Sequence, residues 1–242
     1  GKSSIANFYY QILKLNKIKV SSIGTLGING INYKKNITNT TFNPIQLNKI
    51  LSFLKNKKIN NVILEASSHG LKQHRLDGLK FNLGIFTNLS RDHLDYHKTF
   101  KNYFNSKLIL FRKLMKKKSS VIFDEDLNIT KKIKSISKNK NLKTLSIGSK
   151  TSNLKIIEHK FVNMEQQIKF LYNDRIYSFS TSLIGKVQIK NLMMSVLAAY
   201  KSNINMNNIL NSIKKIKPVP GRLEKISNLK NNSIVILDYA HT

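Results

Sequence analysis

The residues of this chain that could do chemistry fall into a few short polar blocks. Four of the six histidines lie in two of them, Glu-Ala-Ser-Ser-His-Gly-Leu-Lys-Gln-His-Arg (65–75) and Thr-Asn-Leu-Ser-Arg-Asp-His-Leu-Asp-Tyr-His (87–97). A third, Gly1-Lys2-Ser3-Ser4, opens the chain ahead of a helical pattern. G-K-[ST] is the second half of a P-loop, in which backbone N–H groups and a lysine hold phosphates while the hydroxyl binds Mg²⁺. On that reading Lys2 supplies positive charge and Ser3 a metal ligand. Glu65, at the end of an apolar run, is a hard-oxygen ligand of the kind Mg²⁺ takes. The fork of Arg75 suits a carboxylate or a phosphate. Tyr103 and Lys107 are four residues apart in a helical stretch and so share a face; taken alone, Lys107 reads as an exposed helical lysine. His69, His74 and His97 read as packing histidines.

These clusters need a scaffold that sets them side by side. The two long blocks follow the apolar runs Val62-Ile63-Leu64 and Leu83-Gly84-Ile85-Phe86, and short apolar runs bounded by polar residues read as buried strands. In an open α/β sheet, ligands bind outside the carboxyl ends of the strands, so the two blocks are expected to wall one site. Up to about residue 150 helix and strand signals alternate. Helices are expected over Ile5–Leu15, Pro44–Lys57, about 100–117 and Leu127–Ile136, and strands over Val20–Gly24, 62–65, 83–88, 121–123 and 145–148. Strands separated by helices imply a mainly parallel sheet. Three successive strands follow, Ile156–Val162, Gln167–Tyr172 and Ile176–Leu183, with Asn173-Asp174 as a hairpin turn. Helices over Val187–Lys201 and Met206–Ile216 then lead to a linker at Pro218–Gly221 and a last strand from Ser233. The expected fold class is α/β: a mainly parallel P-loop-type sheet flanked by helices, with a small antiparallel subregion.

With 242 residues, 40% of them hydrophobic, the chain can bury the core of one large domain. Its formal net charge of +30 raises a nucleic-acid role. Of 42 basic residues, however, only Arg75, Arg91, Arg112, Arg175 and Arg222 are arginine, and base and phosphate recognition favours arginine forks. The lysines are scattered among Asn and Ile as a solvated basic surface suited to small anions such as nucleotides, so no nucleic-acid partner is expected. Cysteine is absent, which excludes a disulfide framework and a thiolate metal site. No apolar run approaches the ~20 residues of a membrane span, and no membrane insertion is expected.

Taken in order, G-K-S-S, Asn39-Thr40-Thr41, the 65–75 and 87–97 blocks, Tyr103-x-x-x-Lys107, Gly221-Arg222-x-Glu224 and Asp238-Tyr-Ala-His-Thr242 resemble the Mur ligase family. The string S-S-H-G-L-x-Q-H-R points to its MurE-type branch, and the matches run from residue 1 to 242. The resemblance implies an ATP-dependent amide ligase, a cytoplasmic monomer of peptidoglycan synthesis. Such an enzyme adds an amino acid, diaminopimelate or lysine, to UDP-MurNAc-L-Ala-D-Glu through an acyl phosphate. It implies Lys2, His93 and Lys107 as catalytic residues, and Ser3, Glu65, His93 and Lys107 as metal ligands, with Mg²⁺ as cofactor. Lys107 would be carbamylated by CO₂, turning a cation that cannot bind metal into a carboxylate-like donor. Only a deprotonated amine reacts with CO₂, so burial must lower its pKa. ATP would meet Gly1, Lys2, Ser3, Ser4, Asn88, Asn191, Arg222 and Asp238, the last as a ribose-hydroxyl acceptor. Thr40, Thr41, Ser67, Gln73 and Arg75 would hold the muramoyl dipeptide. Two strings depart from the family: G-x-F-N-x-x-N reads Gly185-Lys-Val-Gln188-Ile-Lys-Asn191, and N-A-D-D reads Phe123-Asp-Glu-Asp126.

The residue chemistry agrees with the resemblance, because a carboxylate attacking a γ-phosphate requires its charge to be neutralised. Residues 1–220 are expected to form the central ATP-binding domain, entered within the P-loop, and 221–242 the start of a C-terminal ligase domain. Both ends are expected to be cut, with the strand that precedes a P-loop lying upstream of Gly1. Two other readings stay open. One is another Mur ligase or a folylpolyglutamate-synthase-like ligase, against which S-S-H-G-L-x-Q-H-R speaks. The other is a non-catalytic basic module that binds nucleotides or nucleic acid.

Overall fold

The computed structural model describes residues 1–32, 40–149, 152–162, 165–228 and 234–239. Asn39, Ser233 and Ala240-His241-Thr242, which the sequence motifs include, lie outside the described residues.

Helix α1 (Lys2–Leu15) buries Ile5, Phe8, Tyr9, Ile12 and Leu13, an i, i+3, i+4 stripe that forces one face inward. It packs on α7 (Lys186–Lys201), whose residues Leu192–Ala199 are all buried. Between these helices in sequence come β1 (Val20–Gly24), β2 (Gly27–Asn29), α2 (Pro44–Asn56), β3 (Asn61–Leu64), α3 (Ser68–Lys72), β4 (Phe81–Phe86), α4 (Leu94–His97), α5 (Phe100–Ile109), β5 (Met115–Asp124), α6 (Thr130–Asn139), β6 (Lys143–Gly148), β7 (Leu154–Val162), β8 (Glu165–Tyr172) and β9 (Arg175–Thr181). The chain continues through α8 (Met206–Ile213) to a hairpin of β10 (Glu224–Asn228) and β11 (Ile234–Leu237). Helix α2 starts where Asn43 caps the N–H of Gln46 and Pro44 occupies the first turn, a combination that fixes a helix start.

The strands form the ordered sheets β2-β1-β3 and β4-β5-β6-β7-β8-β9. Parallel pairing joins β1 to β3 and runs from β4 through β7, while β7-β8-β9 is antiparallel. The mainly parallel sheet with an antiparallel subregion is therefore present. The β8–β9 turn falls at Asn173 and Asp174, with φ of 49° and 59°, the paired left-handed values a two-residue hairpin needs.

Three expectations need correction. The helix expected over 100–117 ends as α5 at Ile109, followed by a π-helical turn (Leu110–Leu114), and Met115 already begins a strand. Met115 pairs with Phe81, whereas Leu83 pairs with Ser120. Lys116–Ser119 therefore bulge from the ladder, and the pairing of Met115 and Ser120 on either side of them, not their own helix-compatible composition, sets the local structure. The helix expected over 127–136 begins at Thr130, and the strand expected over 83–88 ends at Phe86, leaving Thr87 and Asn88 free for the site.

No ladder joins β3 to β4 among the described residues. Their edges face each other across a cavity of about 620 Å³, with Lys2, Ile5, Ala6 and Tyr9 of α1 over it. All four residues of β3 are only partly buried, whereas its neighbour β1 is buried throughout.

Candidate active site

The mouth of that cavity lies at the carboxyl ends of β3 and β4, where Lys2, Glu65, Asn88, His93 and Lys107 line one wall. Strand β3 ends one residue before Glu65, which is buried at 4% exposure. Its carboxylate accepts hydrogen bonds from Ser3 Oγ (3.0 Å), Thr25 N (3.0 Å) and Thr25 Oγ1 (3.2 Å). Gly24 makes this possible: a Cβ there would overlap the Glu65 carboxylate. The sequence reading missed Gly24 and Thr25; the signal was a Gly-Thr pair closing the apolar strand β1.

Ser3 and Glu65 place a hydroxyl and a carboxylate oxygen side by side at the start of α1. Among the described residues no three His, Asp or Glu side chains form a protein-only metal cage. Mg²⁺ rarely needs one, being held through one or two carboxylates plus substrate phosphates and water. The Ser3–Glu65 pair fits that mode. The first N–H groups of α1 carry no side-chain cap, and an uncapped helix start attracts anions.

Lys107 reaches from α5 to the same mouth. Its Nζ donates to the carbonyl oxygen of Asn88 at 2.8 Å and stands 4.6 Å from the centroid of the Tyr103 ring. Burial, and then the charge of Lys2, push the Lys107 pKa down from 10.5 to about 7, with Asp92 opposing. Burial also raises the Tyr103 hydroxyl to about 12. His93 enters α4 in the left-handed conformation (φ 55°) and pairs with Asp92 at 3.4 Å. The His69 ring packs against His93 (centroids 5.0 Å) and Tyr96 (4.2 Å). Burial lowers the pKa of both His69 and His97, and fully buried His97 bonds Ser68 and Ser106, a packing role as the sequence reading had it.

A second cluster backs onto Glu65 from the other side. Thr41 Oγ1 donates to the Glu65 carbonyl (2.9 Å) and accepts from Ser67 N (3.0 Å). Ser67 Oγ caps α3 through Gly70 N. The hydroxyls of Thr41 and Ser67 thus knit the loop together. Arg75 gives one N–H to the Thr41 carbonyl (2.7 Å), and Gln73 donates to the Tyr96 hydroxyl (3.1 Å). Thr40 meets Thr25 at 3.1 Å. The residues expected from sequence to hold the dipeptide thus gather beside the Ser3–Glu65 pair, joined to it through Glu65 and Thr25.

The remaining expected ATP contacts come from α7 and the segment after it. Asn191 Oδ1 and Thr87 flank Gly1 at 3.6 Å and 3.4 Å from where its Cβ would be, next to Ser4, buried in the first turn of α1. Arg222 donates to the Tyr239 carbonyl at 2.8 Å, and Asp238 is exposed in the terminal segment. In the departing string 123–126, Asp124 and Asp126 grip Lys190 of α7 at 2.6 Å and 3.0 Å. Burial alone pushes that ammonium's pKa down, but the two carboxylates outweigh it and the net shift is upward.

The chain is similar to known proteins along its whole length. Residues 1–199 match the Mur ligase middle domain. A UDP-N-acetylmuramoyl-L-alanyl-D-glutamate–2,6-diaminopimelate ligase of Rickettsia bellii is 36% identical over 246 residues, covering 100% of this chain and 51% of that protein. The enzyme of the same name from Zymomonas mobilis is 33% identical over 243 residues, covering 100% and 50%. A solved structure of a ligase with that name superimposes with a TM-score of 0.83 at 25% identity, covering all of this chain and 50% of the other. The fold also matches that of the MurF ligase of Thermotoga maritima in complex with ADP, with a TM-score of 0.68 at 15% identity over 94% of this chain and 49% of the other. The chain spans about half the length of the relatives it matches.

Proposed function

This chain belongs to the Mur ligase family, and from that premise we propose that it is the ATP-binding centre of a MurE-type ligase. The reaction joins an amino acid, diaminopimelate or lysine, to UDP-MurNAc-L-Ala-D-Glu, with ATP converted to ADP and phosphate through an acyl phosphate. The observation that carries this reading is the convergence of Lys2, Ser3, Glu65 and Lys107 on one cavity mouth. A carboxylate must approach a triphosphate there, two anions meeting, and the site answers with fixed positive charge and helix N–H groups. Lys2 and the start of α1 hold the γ-phosphate. Ser3 and Glu65 would hold Mg²⁺, which would supply charge neutralisation. Arg75, with donors beyond the one given to Thr41, binds a carboxylate of the dipeptide; Thr40, Thr41, Ser67 and Gln73 shape that side.

Lys107, with its pKa near 7, holds enough neutral amine to add CO₂ with release of a proton, and the carbamate oxygens would join His93 in holding a second metal ion. Asn88, Asn191, Arg222 and Asp238 face the nucleotide. Residues 1–220 act as the nucleotide-binding unit and 221–242 lead into a further domain that delivers the amine. No helix among the described residues is long and apolar enough to cross a membrane, and we propose a cytoplasmic monomer. The test uses the longer protein that carries this chain. Phosphate release should require Mg²⁺, the UDP-muramoyl dipeptide and an amino acid together. Binding of DNA or RNA with no phosphate release under those conditions would favour the basic-module reading.

A further inference from the structure

Position 188 departs from the family string, and its surroundings give the departure a purpose. Gln188 and Asn191 lie one turn apart on α7, exposed by only 3% and 6%. Gln188 Nε2 donates to the carbonyl oxygen of Arg222 at 2.9 Å, and Gln188 Oε1 accepts from Asn191 Nδ2 at 3.2 Å. This orientation leaves Asn191 Oδ1 turned toward Gly1. One buried amide therefore links the first residue of the phosphate loop, the core helix α7 and the turn that carries Arg222.

Just before the turn, Lys217 bonds Gln11 of α1 through both its N–H and its carbonyl oxygen, at 2.9 Å each, and Val219 is buried in the main core. The other hydrogen bonds of the turn itself are local or reach Tyr239. Arg222 N bonds Val219 O (3.0 Å), Gly221 N bonds Glu224 Oε2 (2.7 Å), and Tyr239 N bonds Gly221 O (2.8 Å). Among the described residues, the hydrogen bond that ties residues 218–224 to the body of the domain is the one from Gln188. The length of the side chain matters. An asparagine at 188 would be shorter by one methylene, about 1.5 Å, and could not span from Asn191 to the Arg222 carbonyl with normal hydrogen-bond lengths.

We propose that Gln188 is a positioning residue that sets the distance between Asn191 and Arg222 and so the fit of the nucleotide between them; this rests on the reading of the cavity mouth as an ATP site. Losing both bonds while leaving a buried carbonyl and amide unpaired should weaken ATP binding roughly tenfold or more. The muramoyl dipeptide, held on the far side of Glu65, should be unaffected.

The experiment uses the longer protein carrying this chain, with Gln188→Met, which keeps side-chain length and removes both bonds, and Gln188→Asn, which keeps the amide and shortens it. Mg-ATP and UDP-muramoyl dipeptide are titrated separately, and KM for ATP is compared with kcat. The proposal expects Gln188→Met to raise Kd and KM for ATP about tenfold with kcat and dipeptide affinity nearly unchanged, and Gln188→Asn to lie between it and wild type. ATP affinity equal to wild type in Gln188→Met overturns it. So does an equal loss for both ligands, which would mark a general packing defect. If Gln188→Met fails to fold, unchanged ATP affinity in Gln188→Asn overturns it. Wild-type protein that does not bind Mg-ATP removes the ATP-site reading itself, a result distinct from a variant that binds normally.

Discussion

The sharpest quantitative expectation concerns Lys107. Its Nζ is drawn between the Asn88 carbonyl and the Tyr103 ring, and burial with the nearby Lys2 charge lowers its pKa from 10.5 to about 7. At pH 8 an amine of pKa about 7 is roughly nine-tenths neutral, whereas one at 10.5 is about 0.3% neutral. The structure therefore raises the CO₂-reactive form about three-hundredfold. The sign for stability follows from the same shift. Between about 7 and 10.5 the unfolded chain carries a proton the folded chain lacks, so Lys107 favours folding increasingly across that window and the contribution is lost as pH falls through about 7. Equilibrating the protein with ¹³C-bicarbonate and recording the carbamate carbon by NMR from about pH 6 to pH 9 reads the modification directly. The signal should grow as pH rises through about 7 and vanish in Lys107→Met. Lys2→Ala should move the midpoint upward only in part, because burial is the larger cause. A lysine whose acylation by an amine reagent stays half-maximal above about pH 10, or a carbamate signal that persists in Lys107→Met, would refute the reasoning.

Other expectations follow from single contacts. Gly24→Ala should push the Glu65 carboxylate from its place beside Ser3, lowering Mg-ATP affinity tenfold or more and costing about 1–3 kcal/mol of stability; titration and denaturant unfolding measure the two. Arg75→Ala should weaken the UDP-muramoyl dipeptide by roughly ten- to a hundredfold, about 1.5–3 kcal/mol, and leave ATP nearly unchanged; an equal loss for both would place Arg75 elsewhere. The facing edges of β3 and β4 have room for one more strand, as a P-loop sheet requires. Supplying a strand there, with the rest of the longer protein, should make unfolding more cooperative and Mg-ATP binding tighter than in the 242 residues alone. A sharp thermal transition and tight Mg-ATP binding by the 242-residue chain would contradict this.

Much of the scaffold was legible because its signals are local. The runs at 62–64 and 83–86 gave strands with a polar block at each carboxyl end. Asn173-Asp174 gave a hairpin through its turn chemistry. Other parts depended on distant partners. Met115 carries no strand pattern and joins the sheet by pairing with Phe81, and the lysines after it bulge out before Ser120 pairs with Leu83. Helices α3 and α4 are short, the first capped by Ser67 and the second entered through His93 in the left-handed conformation without a side-chain cap, so no apolar period announces them. At the site, Glu65, Lys2 and Ser3 were readable from residue type. Thr25 was not, since nothing local says that a threonine closing β1 meets a glutamate 40 residues on. The Lys190 grip by Asp124 and Asp126 and the Gln188 link to Arg222 are likewise tertiary facts.

On the function proposed, a carboxylate of the muramoyl dipeptide is phosphorylated by ATP where Lys2, Ser3, Glu65 and Lys107 converge. The most direct measurement supplies the longer protein with UDP-MurNAc-L-Ala-D-Glu labelled with ¹⁸O in its glutamyl carboxylates, together with Mg-ATP and an amino acid, and analyses the phosphate by mass spectrometry. One ¹⁸O should be transferred to each phosphate released, with transfer lost in Glu65→Gln and Lys107→Met. Phosphate that forms only with oxygen from water, while the dipeptide keeps its label, would contradict it.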